Sequence, residues 1–451
     1  MKMKHMPKQL LNIFGTDGVR GLANSGFITP ENSMKLAISA VKHFKKDMED
    51  FKVVIGKDTR LSGYMLEPAL TAGFIAAGAD VMLLGPIPTP AVSVITRTLR
   101  ANLGVVISAS HNPYKDNGIK FFNDKGFKIS PLDEEKITEF FFGEMKLVGP
   151  EKMGKAKRIN DIDGRYVEFV KASFIRNLTL SGIKIVVDCA NGAAYKVAPE
   201  VFWELGAEVI AIGNEPDGLN INEECGTTNP KLLQKTVVEH KADIGFALDG
   251  DADRVIVVDE KGTIIDGDYI IAIIATDWRN RGKLRGNKVV ATTMSNMALW
   301  KYLNSIGIEL IRSDVGDKYV IEKMIEIESN LGGEKSGHIV PLDYSTTGDA
   351  LVSALQVLNY LVSNSKKASD IHNLYKPYPQ VFKNLNKEID IHSNYVKKTI
   401  FSIENEILQK RGRLIIRKSG TENIIRVMIE SENEEDVEKA LVVIDKAVSQ
   451  L

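Results

Sequence analysis

Short apolar runs alternate with helix-length amphipathic stretches along most of this chain, and that alternation restricts its fold more than any other feature. Residues 52–56 read as a strand, 64–78 as a helix closed by glycine, 80–84 as a strand, 89–100 as a helix and 103–108 as a third strand. A second round has strands at 184–188, 207–212 and 243–248 around a helix at 194–206. A third has helices starting at 267, 295 and 317, with strands at 288–291 and 308–312. Strands separated by helices of roughly 10–15 residues imply parallel α/β layers. The rounds share an architecture, without a clear residue-level repeat.

Lys376-Pro377-Tyr378-Pro379 interrupts the series, since each proline fixes φ and removes an N–H donor. Beyond it, a helix near 394–410, strands at 413–417 and 424–429 and a helix from 434 predict a smaller α+β unit. A chain of 451 residues exceeds what one core serves. The expected domains are 1–160, 161–262, 263–375 and 376–451.

Composition narrows the function classes. With 44% hydrophobic and 26% charged residues the chain can bury substantial cores and carries no bias to disorder. A net charge of -1 argues against nucleic acid as a bulk electrostatic partner, while leaving room for a local phosphate pocket. Two cysteines, Cys189 and Cys225, form no disulfide framework and fit a reducing compartment. No signal core and no apolar run of about 18 residues is present, so the expectation is a cytoplasmic protein with no membrane partner.

Each expected domain carries one chemically loaded stretch. In the first, the apolar run ends at Ser108-Ala109-Ser110-His111-Asn112-Pro113, which sets the Ser110 hydroxyl on a turn at a strand end. Serine can carry a phosphate covalently or attack once activated. Neighbours on an extended chain point apart, so His111 is a weak candidate base, and Lys120 is placed to turn back into the same cleft. A plain turn explains these residues equally well. In the second, Asp249, Asp251 and Asp253 stand at alternate positions before Arg254. Carboxylates this close repel unless a cation lies among them, and their oxygens suit hard divalent ions. An EF-hand fits poorly, because Arg254 occupies the position where glycine makes the sharp turn. An aspartyl-phosphate phosphatase using Asp249 remains a distant alternative. In the third, Glu334, Ser336 and His338 offer an acceptor, a hydroxyl and an imidazole suited to a sugar, or form a polar loop. In the last, Ser419, Gly420 and Thr421 follow Arg417 and precede Arg426. Backbone N–H groups, hydroxyls and guanidiniums there suit a phosphate, or a charged β-turn.

With these four stretches in this order, the chain resembles the α-D-phosphohexomutase superfamily over nearly its full length. Within it, Phe14-Gly15-Thr16-Asp17-Gly18-Val19-Arg20-Gly21 and Asp314-Val315-Gly316-Asp317-Lys318-Tyr319-Val320 are similar to the enzymes of glucosamine phosphates. Three departures stand out: Lys335 where glutamine is usual, Asn423 where proline is usual, and Ala252 where glycine is frequent. The resemblance implies three similar mixed α/β domains and a smaller C-terminal α+β domain around a central cleft. It implies a mutase for glucosamine 6-phosphate and glucosamine 1-phosphate that feeds UDP-N-acetylglucosamine and cell-wall precursor synthesis. A phosphomannomutase or phosphoglucomutase on the same scaffold is the alternative. Ser110 is then the phosphoserine, with Arg20, Lys120 and His111 as catalytic candidates. Mg2+ is held by Ser110, Asp249, Asp251 and Asp253, with Arg254 bracing the loop. The phosphosugar is bound by Glu334, Ser336, His338, Arg417, Ser419, Gly420, Thr421 and Arg426. A homodimer is possible in this family.

Overall fold

The computed structural model describes residues 13–46, 48, 50–385, 390, 393–418 and 424–449. Four sheets follow one another among these residues. The first has six strands, in spatial order Val19–Leu22, Asp116–Asn123, Leu103–Ile107, Lys52–Lys57, Asp80–Pro86 and Ala156–Arg158. Its centre is parallel as expected, with Lys52–Lys57 between Asp80–Pro86 and Leu103–Ile107.

The first three sheets are mixed, as the family resemblance implies, and only the parallel layering read from the strand–helix alternation is corrected. Leu103–Ile107 runs antiparallel to Asp116–Asn123, which is antiparallel to Val19–Leu22. The cause is connection length. A parallel return needs a crossover of about a dozen residues or more, and residues 108–115 are too few, so the chain turns back on itself. The next two sheets repeat the device. Lys184–Asp188 is parallel to Glu208–Ile212 and Ile244–Leu248, and Val255–Asp259 then returns antiparallel. Lys288–Thr292 is parallel to Glu309–Ser313 and Leu331–Gly333, and Ile339–Pro341 returns antiparallel. The last sheet, Gln380–Leu385, Ile425–Ser431 and Gly412–Lys418, is antiparallel throughout.

One continuous apolar core runs through the first three units. Its middle is the helix Gly267–Asn280, in which Ile270, Ile271, Ile273, Ile274 and Trp278 are all fully buried. A helix apolar on every side belongs inside, not on a surface. The C-terminal unit has a separate core built from Leu385, Val396, Ile403, Leu414, Val427 and Ile444. Both cysteines are free and buried. No helix among the described residues is long and apolar enough to cross a membrane.

Candidate active site

Three of the four stretches singled out in the sequence occupy the connections between antiparallel neighbours. Ser110 lies between Leu103–Ile107 and Asp116–Asn123, and the three aspartates between Ile244–Leu248 and Val255–Asp259. Glu334–His338 joins Leu331–Gly333 to Ile339–Pro341. Ser419, Gly420 and Thr421 fall outside the described residues, but Arg417 and Arg426 stand opposite each other in register at the strand ends beside them.

Ser110 has φ +52°, a left-handed backbone that costs a non-glycine residue about 1–2 kcal/mol. The surroundings hold it there. Its N–H donates to Ser108 Oγ at 2.9 Å, and its carbonyl accepts from Arg60 Nη2 and Asn222 Nδ2, each at 2.9 Å. Arg60 is fully buried, pairs with Asp58 at 2.8 Å, and donates further to the carbonyls of Asn112, Pro113 and Asp116. One guanidinium therefore fixes the whole turn. The Ser110 hydroxyl donates to Asp249 Oδ2 at 2.6 Å, which joins the first unit to the second. The left-handed bend also brings His111 Nδ1 to 3.4 Å from Ser110 Oγ, where an extended chain would have sent it away. Burial, Arg254 and Arg20 push this imidazole down to about 4, so it is neutral near pH 7.

Asp249, Asp251 and Asp253 present oxygens within 4.8 Å of one another, all buried. Asp249 Oδ1 accepts the backbone N–H groups of Asp253 and Arg254 at 3.1 Å each and so shapes the loop. Ala252 sits in that loop at φ +55°, which accounts for a position suited to glycine. Burial, Asp253 and Asp251 push the Asp249 carboxyl well above the usual range. Oδ1 of Asp251 and Oδ1 of Asp253 are buried without a hydrogen-bond partner. Orphaned carboxylate oxygens converging in a dry pocket fit a hard divalent cation. Lys120 reaches in from the first sheet, 2.8 Å from Asp251 Oδ2 and 3.0 Å from Asp17 Oδ2. Burial opposes its charge, but Asp17, Asp251 and Asp253 outweigh burial and raise its pKa.

A cavity of about 250 Å³ opens beside these groups. Arg20, His111, Asp253 and Arg254 form part of its wall, with Glu334, His338, Arg417 and Arg426. Elements from all four units thus meet there. Asp17 and Asp317 also line it, and Lys128 pairs with both, tying the first unit to the third. Glu334 Oε1 accepts from Gly316 N–H at 3.1 Å. Ser336 is exposed and does not line the cavity; its hydroxyl lies 3.4 Å from Glu334 Oε2. His338 lines the cavity while its ring is engaged: Gly348 N–H donates to Nε2 at 3.2 Å, and Nδ1 stands 3.6 Å from Asp253 Oδ1. Gly337 has φ +92°, and a Cβ there would lie 2.2 Å from the Val255 carbonyl. That close approach lets Val255 N–H donate to Gly337 O at 3.1 Å and bolts this loop to the strand after the aspartates. Burial and the neighbouring Arg426 lower the pKa of Arg417, whose Nε makes no hydrogen bond among the described residues. Adjacent guanidiniums repel unless an anion lies between them.

Arg60, Asn222, Lys128, Asp17 and Asp317 are contributors that sequence reasoning did not single out. Asp17 and Asp317 stand within the two stretches that carried the resemblance, so position alone could have nominated them. Arg60 and Asn222 leave no local signal.

Comparison with known proteins agrees with this geometry. The models described as phosphoglucomutase/phosphomannomutase alpha/beta/alpha domains I, II and III match residues 11–147, 164–262 and 266–378, and that of the C-terminal domain matches 359–447. The phosphoglucosamine mutase of Gluconacetobacter diazotrophicus is 51% identical over 97% of this chain and 97% of its own length. That of Parvibaculum lavamentivorans is 53% identical over 93% and 95%. Among solved structures, a phosphoglucomutase/phosphomannomutase family protein from Burkholderia thailandensis shares the fold with TM-score 0.82 and 23% identity, covering 98% of this chain and 97% of its own. Aspergillus fumigatus N-acetylphosphoglucosamine mutase, solved with GlcNAc-6P and magnesium, has TM-score 0.67 at 17% identity, over 96% and 95% of the two chains. Half of all positions shared along nearly the whole length leave one assignment: the chain belongs to the phosphoglucosamine mutase family.

Proposed function

We infer that the chain is an isomerase that interconverts glucosamine 6-phosphate and glucosamine 1-phosphate, with Ser110 as the carrier of the phosphoryl group. The observation that carries this is the 2.6 Å contact of Ser110 Oγ with Asp249, beside a cavity whose wall also holds Arg417 and Arg426. Arg417 and Arg426, with Ser419, Gly420 and Thr421, receive the phosphate already on the sugar. Glu334 and His338 face the ring, and the 1-hydroxyl is turned toward Ser110. The P–O bond to Ser110 Oγ breaks as a P–O bond to the sugar oxygen forms, giving glucosamine 1,6-bisphosphate. The bisphosphate turns over in the cleft, its other phosphoryl group returns to Ser110 Oγ, and glucosamine 1-phosphate leaves.

Phosphoryl transfer needs positioning and fixed positive charge more than covalent chemistry. Arg20 and Lys120 supply charge from the first sheet, and Arg254 braces the aspartate loop. His111, neutral and beside Ser110 Oγ, can pass a proton. Asp249, Asp251 and Asp253, with an oxygen on Ser110, are the proposed ligands of Mg2+, which when bound screens the charge on the transferring group. Asp249 is engaged by backbone N–H groups and Ser110 at once, which disfavours it as a phosphatase nucleophile.

Rates with the 1- and 6-phosphates of glucosamine, mannose and glucose, measured side by side, test the substrate. Glucosamine should lead, and a much lower rate than the other two overturns the choice of sugar. Intact mass with phosphosite mapping tests the carrier. One phosphoryl group should be found, on Ser110, and a stable phosphate at another residue counts against it.

A further inference from the structure

Lys335 stands between Glu334 and Ser336, yet it is absent from the cavity wall. Its Nζ donates to Gln380 Oε1 at 2.6 Å and lies 3.8 Å from Asp266 Oδ2. Gln380 opens the first strand of the C-terminal sheet and pairs in register with Glu430. Gln380 Nε2 donates onward to Glu430 Oε2 at 3.1 Å and to the Met294 carbonyl at 3.2 Å. Glu430 is fully buried and pairs with Arg413, whose Nη2 donates to the Ser295 carbonyl at 2.6 Å. The C-terminal unit has its own apolar core, so polar contacts such as these seat it on the third unit. The Lys335 backbone is fixed as well, its carbonyl accepting Gly267 N–H at 3.1 Å. Lys335 is thus anchored at one end in the third unit and tied at the other to the C-terminal sheet.

We propose that Lys335 is a positioning residue that fastens the sugar loop to the C-terminal unit, so that Glu334 takes its working place when the unit carrying Arg417 and Arg426 is seated. The proposal rests on Glu334 and the two arginines being substrate contacts. The lysine that departs from the family pattern therefore acts through a neighbouring unit, and the choice of sugar does not pass through it. A charge-assisted hydrogen bond across the seam between two units affects how often the assembled state is reached, which appears in kcat more than in sugar preference.

The test uses Lys335→Met, Gln380→Ala, the double variant and Lys335→Gln in the full chain. Each of the first two should lower kcat about tenfold, and the double variant should fall no further than about twofold beyond either, because the two remove one interaction. Lys335→Gln, which keeps an amide donor, should recover to within about threefold of the parent. Amide hydrogen exchange in the strand Gln380–Leu385 should quicken in both single variants. An unchanged kcat in Lys335→Met, or losses that multiply in the double variant, overturns the tether. A shift of about tenfold or more in the preference between glucosamine and glucose phosphates makes Lys335 a substrate contact instead. Glu334→Gln separates the two levels: unchanged turnover there removes the sugar-loop assignment, while hydrogen exchange still decides the tether.

Discussion

The aspartate loop and the arginine pair share one cavity and are built on opposite plans. Around Ser110 the cations are met from within the fold, Lys120 by Asp17 and Asp251 and Arg60 by Asp58, and the left-handed serine is held by donors from two units. That end rests on the continuous core. Arg417 and Arg426 stand opposite each other across a strand pair on a unit with a core of its own. Group transfer gains from charges that do not reorganise as the reaction proceeds. A phosphate that must be taken up, turned and released gains from an end that can separate. The contrast assigns the fixed end, on the shared core, to the chemical step and the arginine end, with its separate core, to binding.

The largest effect should come from Ser110→Ala. Turnover should fall by about four orders of magnitude or more, since the hydroxyl proposed to carry the group, in contact with Asp249, is gone. Phosphosugar binding, measured by calorimetry, should stay within about threefold of the parent, because the arginine end is untouched. Joint loss of binding and turnover breaks the division between the two ends. Arg417→Ala should do the reverse, raising KM about 10- to 100-fold with a smaller change in kcat, because a bidentate phosphate contact persists from bound substrate to transition state. A fall in kcat at unchanged KM there has the same breaking force.

Removing divalent ions tests the fixed end by itself. A chelator should abolish turnover and leave the folded chain with three converging carboxylates. Restoring Mg2+ at about a hundred times its Kd should add about 2.7 kcal/mol of stability, read as a rise in Tm. Asp251→Asn should weaken that rise, and an unchanged rise means that the ion binds elsewhere.

The apolar runs of the sheet centres were legible in the sequence because they are continuous and bounded, and the site loops because polar residues crowd at strand ends. The antiparallel returns were less so, since the alternation of strand and helix hides a short connection inside a parallel pattern. What stayed hidden was how the loops are held. Arg60 meets the Ser110 turn, Thr89 meets Asp251 at 2.7 Å, and Lys128 meets Asp317, each across a long stretch of chain. A polar residue in a connection reads as exposed until its distant partner is known. His111 shows the same limit locally, because its approach to Ser110 depends on one positive φ.

The smallest expected effect lies at the seam on which the C-terminal unit sits. Asp268, in the first turn of the helix Gly267–Asn280, is buried; its Oδ2 accepts Asn296 N–H at 2.8 Å while Oδ1 has no hydrogen-bond partner. Burial and the neighbouring Asp266 raise its pKa to about 7. In the unfolded chain an aspartate titrates near 3.9. Between about pH 4 and 7 the folded chain therefore holds a proton that the unfolded chain has lost, and stability falls as pH rises through that window. Asp268→Asn keeps an acceptor for Asn296 and removes the charge. It should exceed the parent above pH 7, with the difference vanishing near pH 4. Denaturation at pH 4.5 and pH 8 reads both ends of the window. A difference that does not change with pH would mean that Asp268 ionises in the folded chain as it does in the unfolded one, and that burial at this seam does not penalise its charge.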